Sequence, residues 1–495
     1  MVKPLRFEHR MGQVDAVMWA LEADPMLGAT IVVVGVLERS PGAAALAEHM
    51  EGATRLLPRL RQRVVPGPLG MAPPLWETDP GFDLAYHLRT VALPGAKRSS
   101  ERDVAPCRGR PGGATGGRGL AELMAFVEPL VTDGLDRARP PWQMILVEGL
   151  EGGRAGLVAR LHHAFTDGVG AVRLAMTLFD LGPSSPLKRR QGPEARREAP
   201  PAPPDEQRAS GVERAWDDLD YEVRATLAAA QRALPRLARG LRRAVATPEV
   251  HAREAVDLLR SLGRLGAPGG RPFSPVMTGR SLRTRLAVLT YPLDVVRAAG
   301  RAAGGTVNDA FLAGVTGGLR RYHDKHGAHP EELRLGMAVD LRGDGTDDVV
   351  GNLFAPLRLS VPLQMTDPAR RVGALGDLVA VARSEPALGL LGAAAAVVNH
   401  LPPAATAAAA RRVMHSTDVI ASNVPGSPVP LWLAGAKIES LVAFGPRSGS
   451  GLNLTLLSHH ASVAVGINMD PVATPDADTL TACMRAGFDE VLALA

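Results

Sequence analysis

Apolar positions along this chain fall into two rhythms whose alternation predicts an α/β protein. Residues 13–24, QVDAVMWALEAD, repeat at helical spacing, and GATIVVVGVLE (28–38) follows as a continuous apolar run, the pattern of a strand covered on both faces. Residues 43–60 read as another helix, with Leu46 and Leu56 among its apolar positions. PPLWETDPGFDLAYHLRTVALPG then reads as an extended stretch; its His87 has no partner spacing that would mark a ligand or base and is expected to be structural. Past a glycine-rich surface loop near Gly112 come a helix over 120–128, the turn DRARPPWQ and two strands, MILVEGL and GLVARL. Residues 151–154 join these strands as a hairpin that sets His163 at a sheet end.

After Leu181 the pattern is lost in SSPLKRRQGPEARREAPPAPPDEQR, where proline and charge dominate. This linker predicts three parts: a first domain over 1–183, a Pro/Arg-rich linker with a basic helical segment over 184–275, and a second domain over 276–495. Within the middle part Arg232, Arg236, Arg239 and Arg243 recur on one helical face, opposite Leu234, Leu237, Leu241 and Val245. Such a helix suits an anionic lipid surface and equally suits packing on its own domain with the arginines in water.

The second half opens with the strand RTRLAVLTYPL and two helices, the longer one N-capped by Thr306. Asn308 shares a helical face with Phe311, Leu312, Val315 and Leu319, so a polar side chain is expected on the buried face at the electropositive helix end. Strands in LRLGMAVDLR and FAPLRLSVPL flank Gly351 and Asn352, and a helix over 368–383 and an alanine-rich helical region follow. A further strand ends at Ser422 and Asn423 before a Pro-Gly turn. The last pair of strands carries His459 and His460, for which no role is assigned.

The chemistry concentrates in GLVARLHHAFTDGVGAVRLAMTLFDL, residues 156–181, a strand, tight loop and helix. His162, His163, Asp167 and Gly168 fall at the junction. Adjacent residues at a strand end point to opposite sides, so at most one imidazole faces a given cavity, where it is suited to act as a general base near neutral pH. Two core histidines or a metal pair are the alternatives, but no further ligands stand at zinc spacing, and no metal is expected. Gly168 allows a sharp turn, and Asp167 can hold the loop in one shape.

Composition narrows the setting. The 495 residues can bury two cores, 46% are hydrophobic and 22% charged, and no apolar run is long enough to span a bilayer. Two cysteines exclude a disulfide framework, and the N-terminus lacks the apolar core of a signal peptide, so a cytoplasmic location is expected. The net charge of +5 favours a negatively charged partner such as a membrane surface or a CoA phosphate. With 4% aromatic residues and no nucleic-acid-binding signature, nucleic acid is not an expected partner.

His-His-x-x-x-Asp-Gly is the signature of an acyltransferase superfamily. Together with FDLAYHLR, DRARPPWQMILVEGLEGGR, TVNDAFLAGVTGGLRRY, the Gly351–Asn352 pair and ASNVPGSPVPLWLAGA, it makes nearly the whole chain resemble the bacterial wax ester synthase/diacylglycerol acyltransferase family. The sequence departs from the family in its long glycine-rich loop, its long linker and Pro141 before Trp142. The resemblance implies an α/β fold of two chloramphenicol-acetyltransferase-like domains, mixed sheets flanked by helices, with the active site in a tunnel between them. It implies His163 as general base, His162 as its neighbour, and Asp167 and Gly168 as holders of the loop. Asn308 and the Ser422–Asn423 turn resemble second-half elements lining the channel. Acyl-CoA is the implied co-substrate, with no cofactor, and diacylglycerol or a long-chain alcohol is the acceptor.

These residues fit direct transfer: an imidazole removes the alcohol proton, and an amide such as Asn308 stabilises the thioester oxyanion. No Gly-x-Ser-x-Gly elbow suggests a serine acyl-enzyme. Asp167 is expected in a buried ion pair, with Arg342 as a candidate partner. Acylation of a polyketide or glycolipid hydroxyl is a second enzymatic reading, and a non-catalytic lipid-droplet protein is a third. The expected location is the cytoplasmic face of a membrane or a lipid droplet. Oligomeric state is not legible, and a homodimer is compatible with the sequence.

Overall fold

In a computed structural model, residues 6–68, 70, 72–93, 118–165, 168–184, 212–227, 231, 272–340, 349–350, 354–385, 388 and 390–495 are described. The first half contributes α1 (Gln13–Leu21), β1 (Thr30–Leu37), α2 (Ala43–Leu56), β2 (Leu88–Ala92), α3 (Arg118–Thr132), β3 (Trp142–Glu148), β4 (Ala155–His162) and α4 (Gly168–Leu178). The second half begins with β5 (Arg285–Pro292), α5 (Leu293–Ala302), α6 (Val307–Lys325), β6 (Glu332–Asp340) and β7 (Phe354–Pro362). It continues through α7 (Pro368–Arg383), α8 (Leu391–Val398), α9 (Pro403–His415), β8 (Val419–Val424) and β9 (Trp432–Leu433). It ends with β10 (Ala436–Phe444), β11 (Leu452–His459), β12 (Ser462–Met469) and α10 (Ala477–Leu492).

Two six-stranded mixed sheets organise these elements, in the orders β9-β10-β1-β4-β3-β2 and β7-β6-β8-β11-β12-β5. β1 is rich in β-branched residues because both its faces are covered. Val32, Val34 and Val36 enter one core with Ile145, Val158 and Leu123, and Leu37 enters the other with Leu46, Leu146 and Phe165. The hairpin of β3 and β4 forms in the expected antiparallel register, and Thr30 stands opposite His162 on the other side.

The second core surrounds α6, which is buried on nearly every side. Thr306 and Asp309 close a capping box at its start, and Phe311, Leu312, Val315 and Leu319 are fully inaccessible. Gly314 and Gly318 let α10 approach closely at Gly487, where a side chain would strike the opposing backbone.

Three features differ from the sequence reading. The stretch before β2 is not wholly extended, because Asp83 accepts the Ala85 N–H at 2.9 Å and starts a short helix over Leu84–His87. His87 there is buried between the Phe82 and Trp142 rings, with Nδ1 2.8 Å from the Trp142 carbonyl oxygen. Residues 212–227 of the linker form a helix docked on the first half, where buried Asp218 pairs with Arg10 at 2.9 Å. Most consequential, β9 and β10 come from the second half and complete the first sheet, β10 pairing antiparallel with β1 from Ile438 opposite Leu37 to Phe444 opposite Val32. Sheet membership therefore crosses the expected division at residue 276.

Candidate active site

His162 ends β4, and His163 opens a single 3-10 turn, His163–Phe165, ahead of α4. Backbone bonds pin this corner from two sides: the His162 N–H donates to the Pro141 carbonyl at 3.0 Å and the His163 N–H to the Ala29 carbonyl at 2.8 Å. The two imidazoles part as strand alternation requires. His162 is 1% exposed, whereas His163 is half-buried.

Neighbours fix the protons of the buried ring. The Ala164 N–H donates to Nδ1 of His162 at 3.0 Å, so that nitrogen carries a lone pair and the ring hydrogen sits on Nε2. Nε2 lies 3.3 Å from Oε2 of Glu22, and the Trp19 ring packs edge-on at 4.8 Å. Burial pushes the Glu22 carboxyl up, but His162, the Ala29 N–H and the Arg137 charge outweigh it and hold the group below the usual carboxylate value. Arg137 in turn lies 4.1 Å over the Trp19 ring and donates to the Trp19 carbonyl at 3.0 Å. His162 is closed off by burial, with the Ala164 N–H on Nδ1 and Glu22 beside Nε2, so half-buried His163 is the imidazole of the pair that a substrate can approach.

The second half reaches this corner through helices. α8 and α9 pack on α1, and α1 packs on the histidine turn. Asn399 donates to the Gln13 carbonyl at 2.9 Å and to its Oε1 at 2.6 Å, and Arg411 pairs with Asp24 at 3.1 Å. The junction between the halves thus passes within one helix of His163.

Other expected residues are distributed differently. Gly168 begins α4, while Asp167, its candidate partner Arg342, the Gly351–Asn352 pair and Arg232, Arg236, Arg239 and Arg243 lie outside the described residues. Asn308 is half-buried rather than buried, a correction that follows from its place in the first turn of α6, before the helix enters the core. The buried polar group is Asp309, whose Oδ2 accepts from the Thr306 N–H and Oγ1 at 2.9 and 2.8 Å. The Asn308 amide makes no side-chain hydrogen bond among the described residues. Ser422 is half-buried and Asn423 exposed, both inside β8, which runs on to Val424. β8 packs beneath α6, so Asn308 and Ser422 belong to one half-molecule and the two histidines to the other.

Glu22, Trp19 and Arg137 escaped the sequence reading. Trp19 and Glu22 are three residues apart on a helical pattern and so share a face, a signal that the chain did carry. Arg137 had none. Among the described residues no group of three His, Cys, Asp or Glu side chains could hold a metal ion, and no helix is long and apolar enough to cross a membrane.

Comparison with known proteins agrees with this architecture. Residues 11–106 and 114–311 match the wax ester synthase/diacylglycerol acyltransferase catalytic domain, and residues 350–491 match the C-terminal domain of that family. The chain is 33% identical over 493 residues to a provisionally named diacylglycerol O-acyltransferase of Mycobacterium tuberculosis strain H37Rv, covering 99% of this chain and 93% of that one. A second protein of that strain, named in the same way, is 29% identical over 503 residues, covering 98% and 97%. In fold, the chain resembles the wax ester synthase/diacylglycerol acyltransferase of Marinobacter aquaeolei VT8, with a TM-score of 0.58 at 22% identity, covering 97% of this chain and 98% of that one. The first condensation domain of the calcium-dependent antibiotic synthetase superposes with a TM-score of 0.58 at 16% identity, covering 98% and 95%.

Proposed function

The chain belongs to the wax ester synthase/diacylglycerol acyltransferase family, and from that premise we propose that it transfers a fatty acyl group from acyl-CoA directly to diacylglycerol or a long-chain alcohol, with His163 as general base. One observation carries the choice of base. His162 is 1% exposed, with Ala164 on Nδ1 and Glu22 beside Nε2, whereas His163 keeps partial access at the junction of the halves.

The imidazole of His163 takes the acceptor's hydroxyl proton as its oxygen attacks the thioester carbonyl carbon. The tetrahedral intermediate carries its negative charge on the former carbonyl oxygen, which the Asn308 amide is suited to stabilise. Collapse restores the carbonyl, breaks the carbon–sulfur bond and passes the proton from the imidazolium to the departing thiolate. The products are an ester and free CoA. Positioned base catalysis of this kind supplies about 10²–10⁴-fold.

Names of the mycobacterial relatives make diacylglycerol the first acceptor to test. Both acceptors partition into lipid, so peripheral contact with a membrane or lipid droplet is part of this reading. The purified chain, supplied with labelled acyl-CoA and either diacylglycerol or hexadecanol, is expected to release CoA and form labelled ester. No CoA release with either acceptor, or full turnover by His163→Ala, would overturn it.

A further inference from the structure

α9 meets the turn that follows α1 along an open groove of about 760 Å³, whose lining includes Asp24, Ala404, Ala408, Arg411, Arg412 and His415. We infer that this groove binds the phosphate groups of acyl-CoA. The inference rests on the acyltransferase reading above and adds to it the place where the polyanionic end of the donor is held.

Position is the first argument. Ala23, Asp24 and Pro25 form one wall of the groove, and the residue before them is Glu22, the partner of His162. A donor whose phosphates lie here has its other end free to run past α1 toward the histidine turn.

Charge is the second. Asp24 is the groove's one carboxylate among its lining residues, and it is already engaged, by the Met26 N–H at 3.0 Å and by Arg411 at 3.1 Å. Arg412 makes no ion pair or hydrogen bond among the described residues. Cations in the last turn of a helix often do no more than complement its dipole, an account open to Arg412 and His415 but not to Arg411, which lies just before that turn. What that account does not require is two adjacent guanidiniums lining one cavity, with Arg412 making no ion pair among the described residues. A planar guanidinium binds phosphate oxygens through paired donors, which suits it to this ligand over a lone ammonium.

Partial burial, and then the charges of Arg280 and Arg411, push the His415 imidazole below its ordinary value, so the two arginines rather than this ring are the cations of the groove. Shape agrees as well, since Ala404, Ala407 and Ala408 keep the α9 wall low and leave room for a bulky group beside the cations.

The test compares two donors with the same thioester. Acyl-pantetheine lacks the phosphates together with the adenosine, so the ratio of kcat/KM for acyl-CoA to that for acyl-pantetheine reports the contribution of that polyanionic end, and the change of this ratio on substituting an arginine reports the part that arginine supplies. Arg412→Ala is expected to lower this ratio about tenfold, the worth of one charge-assisted hydrogen-bond pair, and Arg412→Lys to recover part of it. The Kd for free CoA, measured by calorimetry on the full chain, should rise by a similar factor. Calorimetry needs no acceptor and no turnover, so it reports on the groove even if the proposed reaction fails. An unchanged ratio and Kd would overturn the inference. So would loss of binding to phosphatidylglycerol vesicles with CoA affinity intact, because the groove would then serve lipid headgroups.

Discussion

Replacing Glu22 by glutamine asks whether one buried carboxylate sets the histidine turn. Glu22 acts on both sides of Ala29: Oε1 accepts the Ala29 N–H at 3.2 Å, and the carbonyl of the same residue receives the His163 N–H at 2.8 Å. Its Oε2 faces Nε2 of His162 at 3.3 Å, and the side chain is 10% exposed, so water screens little of its charge. Glutamine retains one carbonyl for Ala29 but turns an NH₂ group toward a ring nitrogen that already bears hydrogen, donor against donor. A hydrogen bond to a charged group contributes about 1.5–3 kcal/mol, and the variant should lose about 2–3 kcal/mol of unfolding free energy. Any shift of Ala29 also moves His163. The expected fall in kcat reaches about 10²-fold for a displacement of 1 Å, while KM for acyl-CoA stays within about twofold.

Acidity supplies a second reading of the same pair. In the folded protein Glu22 titrates below its ordinary 4.5. Between the folded and unfolded values the unfolded chain binds the extra proton, so stability rises with pH across that window. The carboxylate's contribution is therefore complete above about pH 4.5 and disappears as pH falls through the folded value. Urea unfolding followed by tryptophan fluorescence should give a gap between wild type and Glu22→Gln that is level from neutrality to about pH 5 and narrows below. A gap within about 0.5 kcal/mol at neutral pH, or one that widens on acidification, would refute the reasoning.

Three further outcomes are expected. His163→Ala should lower kcat by about 10²–10⁴ while the chain still unfolds in one cooperative transition, checked by CoA release and thermal unfolding. Asn308→Ala should cost about 10²–10³ in kcat at nearly constant KM, and a change in KM alone would remove the oxyanion role. Gly487→Ala places a methyl group 2.6 Å from the Gly314 carbonyl oxygen and against Gly318, so overpacking should cost about 1–3 kcal/mol or more in urea unfolding.

Much of this fold is local enough to be read from residue order. Thr306 does cap α6, Pro368 does open α7, and the apolar runs at 28–38 and 144–161 do become neighbouring strands, because period, caps and short hairpins act over a few residues. β10 escaped for a physical reason. Its register shifts between Ile438 and Ser440, so the burial of AKIESLVAF does not alternate cleanly, and its partner β1 lies some four hundred residues earlier. The candidate site divides in the same way. Two adjacent histidines at a strand end are legible, but which one is buried depends on Glu22 and Trp19, which tertiary packing alone brings to His162.

On the proposed function, that crossover also bears on how substrates would reach His163. Rotating the halves apart means parting β10 from β1, whose backbone hydrogen bonds are each worth about 0.5–1.5 kcal/mol net. It would also expose the apolar face that Val442, Phe444 and Ala464 share with Val32 and Val34. On the other side α8 and α9 lie on α1, where the polar ties run from Asn399 to Gln13 and from Arg411 to Asp24. A partly exposed ion pair is worth about 0–1 kcal/mol, so water replaces the Arg411 tie at little cost. On the proposed function, opening would follow the weaker joint, and a fatty chain would enter beside α1 and α9 rather than through the β10 side. This is the edge that carries Arg411 and Arg412, so on the inferred phosphate site one displacement of α9 would admit the acyl chain and present both guanidiniums to the phosphates that accompany it.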